Sequence, residues 1–165
     1  MRNHSMLVRY NAWANGQLFD AVATLPEGEA TKVRPSLCRN MLHTLNHCYV
    51  VARMWQAHLT GGRHEYAELN TPDHPPLAEL RRLDEALAAW YVDYADSLPD
   101  AALHERVRFV LIGGNEGEMT REQIFFHLVN HSSYHRGYVA DMFFHVPARP
   151  PLMDMTVFLR EHRLA

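Results

Sequence analysis

A chain of 165 residues that is 47% hydrophobic and 21% charged has the make-up of one globular domain, expected to span residues 1–165. Its formal net charge of −3 supplies no basic footprint for nucleic acid or an anionic membrane surface. It has neither a run of about 20 apolar residues nor a secretory apolar segment behind Met1, which predicts a soluble protein of the cytoplasm.

Apolar residues recur at the helical period in four long segments, separated by connectors rich in Gly and Pro. The first covers about residues 5–25, with Met6, Leu7, Tyr10, Ala14, Leu18, Ala21 and Val22 on one stripe, and Pro26 and Gly28 stop it. The second covers about residues 37–59 and ends at Gly61-Gly62. A polar loop with Pro72, Pro75 and Pro76 leads to the third, about residues 77–98, with Leu80, Leu83, Leu87, Trp90, Tyr91 and Tyr94 on its stripe. After it the helical period is lost. The β-prone run Val107-Arg108-Phe109-Val110-Leu111 and the turn residues Gly113-Gly114-Asn115 predict a small hairpin or flap there. The fourth helix opens at Thr120, in capping-box spacing with Gln123, and runs to about residue 145. A short helix is predicted over about residues 154–162. Four such helices predict an all-α fold, a four-helix bundle with the flap between its third and fourth helices.

Histidine is the unusual component, present 12 times. His127, His131 and His135 stand at i, i+4 and i+8 on the fourth predicted helix. Each four-residue step advances about 40° around the axis and about 6 Å along it, so two neighbours can meet one ion and the outer pair cannot. With His131 at zero, Ile124, Leu128, Tyr138, Val139 and Met142 fall between about −20° and +80°. His131 and His135 lie inside that apolar stripe and His127 at its margin, which favours His131 with His135. A third ligand must come from another helix, where His43 and His47 form a second i, i+4 pair; spacing leaves both open. Neutral imidazoles without cysteine or paired carboxylates suit Zn²⁺, Ni²⁺ or Fe²⁺ and not Ca²⁺ or Mg²⁺. Three protein ligands leave a position for water or substrate, the catalytic rather than the structural pattern.

Other candidates read as structural. His4, His58, His64, His74, His104, His145 and His162 are expected at the surface or at helix boundaries, and Trp13, Trp55 and Trp90 in the core. Arg136 falls off the apolar stripe and is expected in a surface ion pair. Cys48 reads as a packing residue. With Cys38 on the same predicted helix, the two thiols would stand about 15 Å apart, too far for a bridge. Free thiols fit a reducing compartment. The second helix is apolar on two sides, one carrying Met41, Leu45, Tyr49 and Leu59, the other His43, His47, Val50, Met54 and His58. The extra face predicts a homodimer.

Three stretches carry a family resemblance: Tyr10-Asn11-Ala12-Trp13-Ala14-Asn15; Thr44-Leu45-Asn46-His47 leading to Trp55; and His127-Leu128-Val129-Asn130-His131-Ser132-Ser133-Tyr134-His135-Arg136-Gly137. In this order the chain resembles, over nearly its whole length, the DinB/YfiT-like family of four-helix metalloproteins. The resemblance implies a metal held by His47, His131 and His135, commonly Ni²⁺ or Zn²⁺, in a homodimer. It also implies a reaction of the kind known in the family, thiol-dependent transfer or isomerisation with bacillithiol or mycothiol, in which the metal activates the thiol.

The function expected from all this is that of a metal-dependent hydrolase or thiol transferase acting on a small molecule, with a low-molecular-weight thiol as a candidate partner. The alternatives are a non-catalytic metal-binding or stress-response protein and a metal-free interaction bundle. Metal-bound histidines normally donate their second N–H to an acceptor. Glu116 and Glu118 in the flap, and Asn11 and Asn15 on the first helix, are the candidates to face the site.

Overall fold

A computed structural model describes residues 2–71 and 73–163; Pro72 of the predicted polar loop and the extreme ends of the expected domain lie outside them. The described elements are α1 (Asn3–Ala23), α2 (Met41–Leu59), α3 (Leu77–Ser97), α4 (Asp100–Leu103), β1 (Arg106–Val110), β2 (Glu116–Thr120), α5 (Arg121–Met142) and α6 (Met155–Glu161), with a 3₁₀ turn at Phe143–His145. The fold is mostly helical with one two-stranded sheet. The long helices pack side by side, α1 on α3 and α5, and α2 on α5 and α3. No described helix is long and apolar enough to cross a membrane.

Local chemistry sets the boundaries. Thr120 accepts from the Gln123 N–H while the Gln123 side chain accepts from the Thr120 N–H, so the predicted capping box opens α5. α2 starts four residues later than its apolar pattern suggests. Asn40 is its N-cap, accepting from the His43 N–H at 2.7 Å, and Arg39 before it has φ 66°, which no helix accommodates. Cys38 therefore lies in the loop ahead of α2 rather than on it, and the expected 15 Å spacing along one helix does not apply. Both thiols are free.

β1 and β2 form the flap as an antiparallel hairpin in which Phe109 faces Gly117. A Cβ at residue 117 would come within 2.4 Å of the Phe109 ring. The missing side chain lets that ring fold across the strand and reach Trp55 of α2, at a centroid distance of 4.9 Å. The hairpin is thereby fastened to α2.

Two apolar clusters form the core. One, near the hairpin, contains Val8, Trp55, Leu87, Tyr91, Val107, Ile124 and Phe125; the other contains Leu18, Val22, Met41, Leu45, Leu80, Val139, Met142 and Phe143. Between them lies a layer of buried polar residues: Asn15 of α1, His47 of α2, Asp84 of α3, and Ser132, His135 and Arg136 of α5. Each long helix thus interrupts its apolar face at the same level.

The second apolar face of α2 is covered from within. His47, Val50, Met54 and His58 are buried in the single chain. Asn46 donates to Asn70 Oδ1 at 2.7 Å and Thr71 Oγ1 at 3.0 Å, holding the following segment against that face. Leu69, Asn70 and Thr71 thus lie against the His47 end of that face, and α5 packs on α2 as well.

Candidate metal centre

On α5 the buried residues Ile124, Phe125, Leu128, Val129, Ser132, His135, Arg136, Val139 and Met142 occupy a sector from about +20° to +160° relative to His131. The sector is wider than the apolar stripe alone suggests and is centred near +90°. His135 is inside it, His131 sits on its edge and is half-buried, and His127 is outside. The two histidines therefore span the boundary between the packed interior and solvent.

His47 of α2 meets them there. Its Nε2 lies 3.2 Å from Nε2 of His131, and the ring centroids of His47–His135 and His131–His135 are both 4.5 Å apart. One ring nitrogen from each of the three gathers within 4.8 Å of the others, and no carboxylate or thiol joins the group among the described residues. A tetrahedral ion with metal–nitrogen bonds of about 2.05 Å would separate two ligand nitrogens by about 3.3 Å. The His47–His131 spacing matches that edge.

Protonation states favour lone pairs over charge. Burial, reinforced by the neighbouring imidazoles His135, His47 and His127, pushes His131 down to about 3. Burial and His47 push His135 down to about 4. His47 is lowered by burial as well, against the opposing pull of the Leu69 carbonyl. That carbonyl accepts from His47 Nδ1 at 2.9 Å, which fixes the tautomer and leaves the Nε2 lone pair facing His131. On the second edge of His135, Nδ1 lies 3.9 Å from the Cys38 sulfur. The donor set, neutral imidazole nitrogens, one of them aligned by a backbone carbonyl, fits a divalent metal ion.

The remaining expected residues fall elsewhere. His43 is half-buried beside His74, with ring centroids 6.3 Å apart, and stays outside the cluster. His127 packs its ring 5.1 Å from Trp55 and 5.7 Å from His131 without joining the group. Glu116 and Glu118 do not face the centre; they line a groove at the far end of α2, and Glu118 pairs with Arg106 and Arg108. Asn11 and Asn15 do not face it either. Their side-chain oxygens accept from Arg136 at 2.6 and 2.7 Å, and Ser133 Oγ accepts from it at 2.8 Å.

Arg136 is therefore no surface ion pair. It is 4% exposed, lies 5.5 Å over the Tyr10 ring, and reaches Asp84 through Asn15, whose amide donates to Asp84 at 3.3 Å. Burial pushes the Asp84 carboxyl up to about 6, against the Asn15 hydrogen bond and the charge of Arg136. Cys48 lines a small cavity beside this carboxylate, about 30 Å³ in volume, and burial pushes its thiol up. His4 and His58 stand at helix ends, within the expected surface or boundary positions, but both are buried, and His4 Nε2 bonds the Ala95 carbonyl at 3.2 Å. Trp55 is buried as expected, while Trp13 and Trp90 are half-buried.

The Leu69 carbonyl could not have been found from sequence, because every residue carries one. Asn46 gave the available signal: a polar side chain on a buried helix face must bind something, and it binds the loop that brings Leu69 to His47. No relative among curated proteins matches the chain. The family profile described as DinB family matches residues 1–163, and the chain belongs to the DinB family.

Proposed function

We propose that this protein binds a divalent transition metal through His47, His131 and His135 and uses it to catalyse thiol transfer to a small-molecule electrophile. The observation that carries the reading is the convergence of three neutral imidazole nitrogens at the edge of a buried polar layer. When bound, an ion of this type acts as a Lewis acid that lowers the pKa of a water or thiol it holds. The chain's own contribution is placement. The Leu69 carbonyl orients His47, burial keeps all three rings unprotonated at neutral pH, and the half-buried position of His131 leaves a side from which a small molecule approaches.

Thiol transfer is preferred to hydrolysis because hydrolysis wants a general base beside the nucleophile. Among the described residues, no carboxylate stands with the three imidazoles. Asp84, the buried carboxylate, is engaged with Asn15 in the layer behind them. The framework is read as a four-helix bundle forming one domain over residues 1–165. Its free thiols, Cys38 and Cys48, fit the cytoplasm. A homodimer, implied by the family resemblance, would use a surface other than the second face of α2.

The test is thiol consumption by metal-loaded, tag-free protein with a panel of low-molecular-weight thiols and alkylating electrophiles. Turnover that needs the metal and disappears in His131→Ala is expected. Full metal occupancy with no turnover of any thiol or ester would instead support a non-catalytic metal-binding protein.

A further inference from the structure

A second set of imidazoles lies at the other end of α2, remote from the three-histidine centre. His58, in the last turn of α2, and His64, in the segment that follows, stand edge to face with ring centroids 5.4 Å apart. Eleven residues of helix separate His58 from His47, about 16 Å along the axis, so the two places are independent.

Both rings have one nitrogen left over. Nε2 of His64 donates to the Val110 carbonyl at 3.0 Å, which puts the lone pair of the neutral ring on Nδ1. That Nδ1 is buried and has no hydrogen-bond partner, and the same is true of Nε2 of His58, a residue only 5% exposed. Burial, followed by the neighbouring His64, lowers the His58 pKa against the opposing pull of the Val110 and Gly62 carbonyls. A buried polar atom without a partner is costly, and such atoms in native proteins commonly mark an ion or a water. His64, with one nitrogen held by a backbone carbonyl and the other free and buried, has the arrangement that metal-bound histidines show.

The surroundings supply room. His58 forms part of the wall of a solvent-open groove of about 650 Å³, with Arg63, Phe109, Glu116 and Glu118. The hairpin shapes this groove: the Phe109 ring, seated over Gly117, lies 6.3 Å from His58.

We propose that His58 and His64 form a second site for a divalent transition-metal ion, bound by Nε2 of His58 and Nδ1 of His64. Water from the groove completes the coordination. Imidazole nitrogens select a Zn²⁺-like ion over Ca²⁺ or Mg²⁺. With two ring nitrogens rather than three, this is the weaker of the two sites.

The experiment is calorimetric titration of the tag-free, chelator-stripped full chain with Zn²⁺. Two equivalents per chain are expected. His64→Ala, at a half-buried position outside the helices, should remove the weaker equivalent and leave the tighter one. His58→Ala should do the same if circular dichroism shows an intact fold; if it does not fold, His64→Ala decides. His131→Ala should remove the tighter equivalent and leave the weaker. A single equivalent lost in His131→Ala would overturn this proposal while sustaining the three-histidine centre. A single equivalent lost in His64→Ala would sustain it and overturn that centre. A second equivalent that survives His64→Ala would overturn it as well.

Discussion

Replacing Arg136 by Ala is expected to destabilise the protein by about 3–5 kcal/mol, the range for breaking a buried charged network from one side. The guanidinium is 4% exposed and donates to Asn11, Asn15 and Ser133 from three different turns of two helices. Its removal leaves the amide oxygens of Asn11 and Asn15 without their partner, while the hydroxyl of the exposed Ser133 turns to water. Each costs about 1–3 kcal/mol if it stays dry. It also takes away the charge that offsets burial of Asp84. Water entering the vacated volume recovers part of the sum, which brings the total back toward 3–5 kcal/mol. A surface ion pair, the role expected of Arg136 from its place off the apolar stripe, would give at most about 1 kcal/mol. The assay is urea unfolding of the metal-free protein at pH 7.5, followed by circular dichroism, with Arg136→Lys alongside. Lysine keeps the charge but not the planar fork, and an intermediate loss is expected. A loss below about 1 kcal/mol with an unchanged urea slope would refute the buried network.

Asp84→Asn removes a carboxyl that burial holds near 6 rather than near its ordinary value of about 4. The folded state binds that proton more tightly, so wild type should gain about 1.4 kcal/mol relative to the variant between pH 8 and pH 5, read by urea unfolding at both; a constant difference would contradict the assignment. For the metal centre, His47→Ala, His131→Ala and His135→Ala should each strip the ion and His127→Ala should retain it, by elemental analysis; loss in His127→Ala with retention in His135→Ala would falsify the ligand set. Ordinary imidazoles release metal below about pH 6. His131 and His135 are held near 3 and 4, so protons compete less and the ion should stay bound at pH 5, which dialysis followed by metal assay checks. The same depressed values mean that the metal-free protein loses stability as pH falls from about 6.5 toward 4, because the unfolded chain takes up protons that the folded rings refuse. Gly117→Ala should lower stability by about 1–2 kcal/mol, because the new Cβ expels the Phe109 ring from its contact with Trp55; an unchanged melting curve would contradict that packing.

Elements encoded by period and punctuation were legible in the sequence. The four long helices and the hairpin follow from apolar spacing, Gly61, the Gly113-Gly114 turn and the Thr120–Gln123 cap, and each is present. His131 and His135 were singled out by helix geometry, and the choice of His47 over His43 came only through the family resemblance. What escaped were polar residues doing interior work. Taking apolar side chains alone as the mark of burial set the α5 stripe about 60° from its true centre, which left Arg136 outside a sector that contains it. The same rule left His4 and His58 at the surface or at helix boundaries without marking them as buried. Their burial depends on partners far along the chain, the Ala95 carbonyl for one and the hairpin for the other, and no local spacing encodes those. Leu69, Asn70 and Thr71 fold back onto Asn46 and His47 at one end of the second apolar face of α2, a contact that the composition of that polar segment does not advertise.

The central claim is that the three imidazoles of His47, His131 and His135 share one ion. An anomalous difference map from crystals of tag-free protein, collected on either side of the absorption edge of the element found by X-ray fluorescence, tests it most directly. A single strong peak about 2.0–2.2 Å from one nitrogen of each ring is the expected result. A map without a peak there, with His131 Nε2 simply hydrogen-bonded to His47 Nε2 at their 3.2 Å separation, would contradict it.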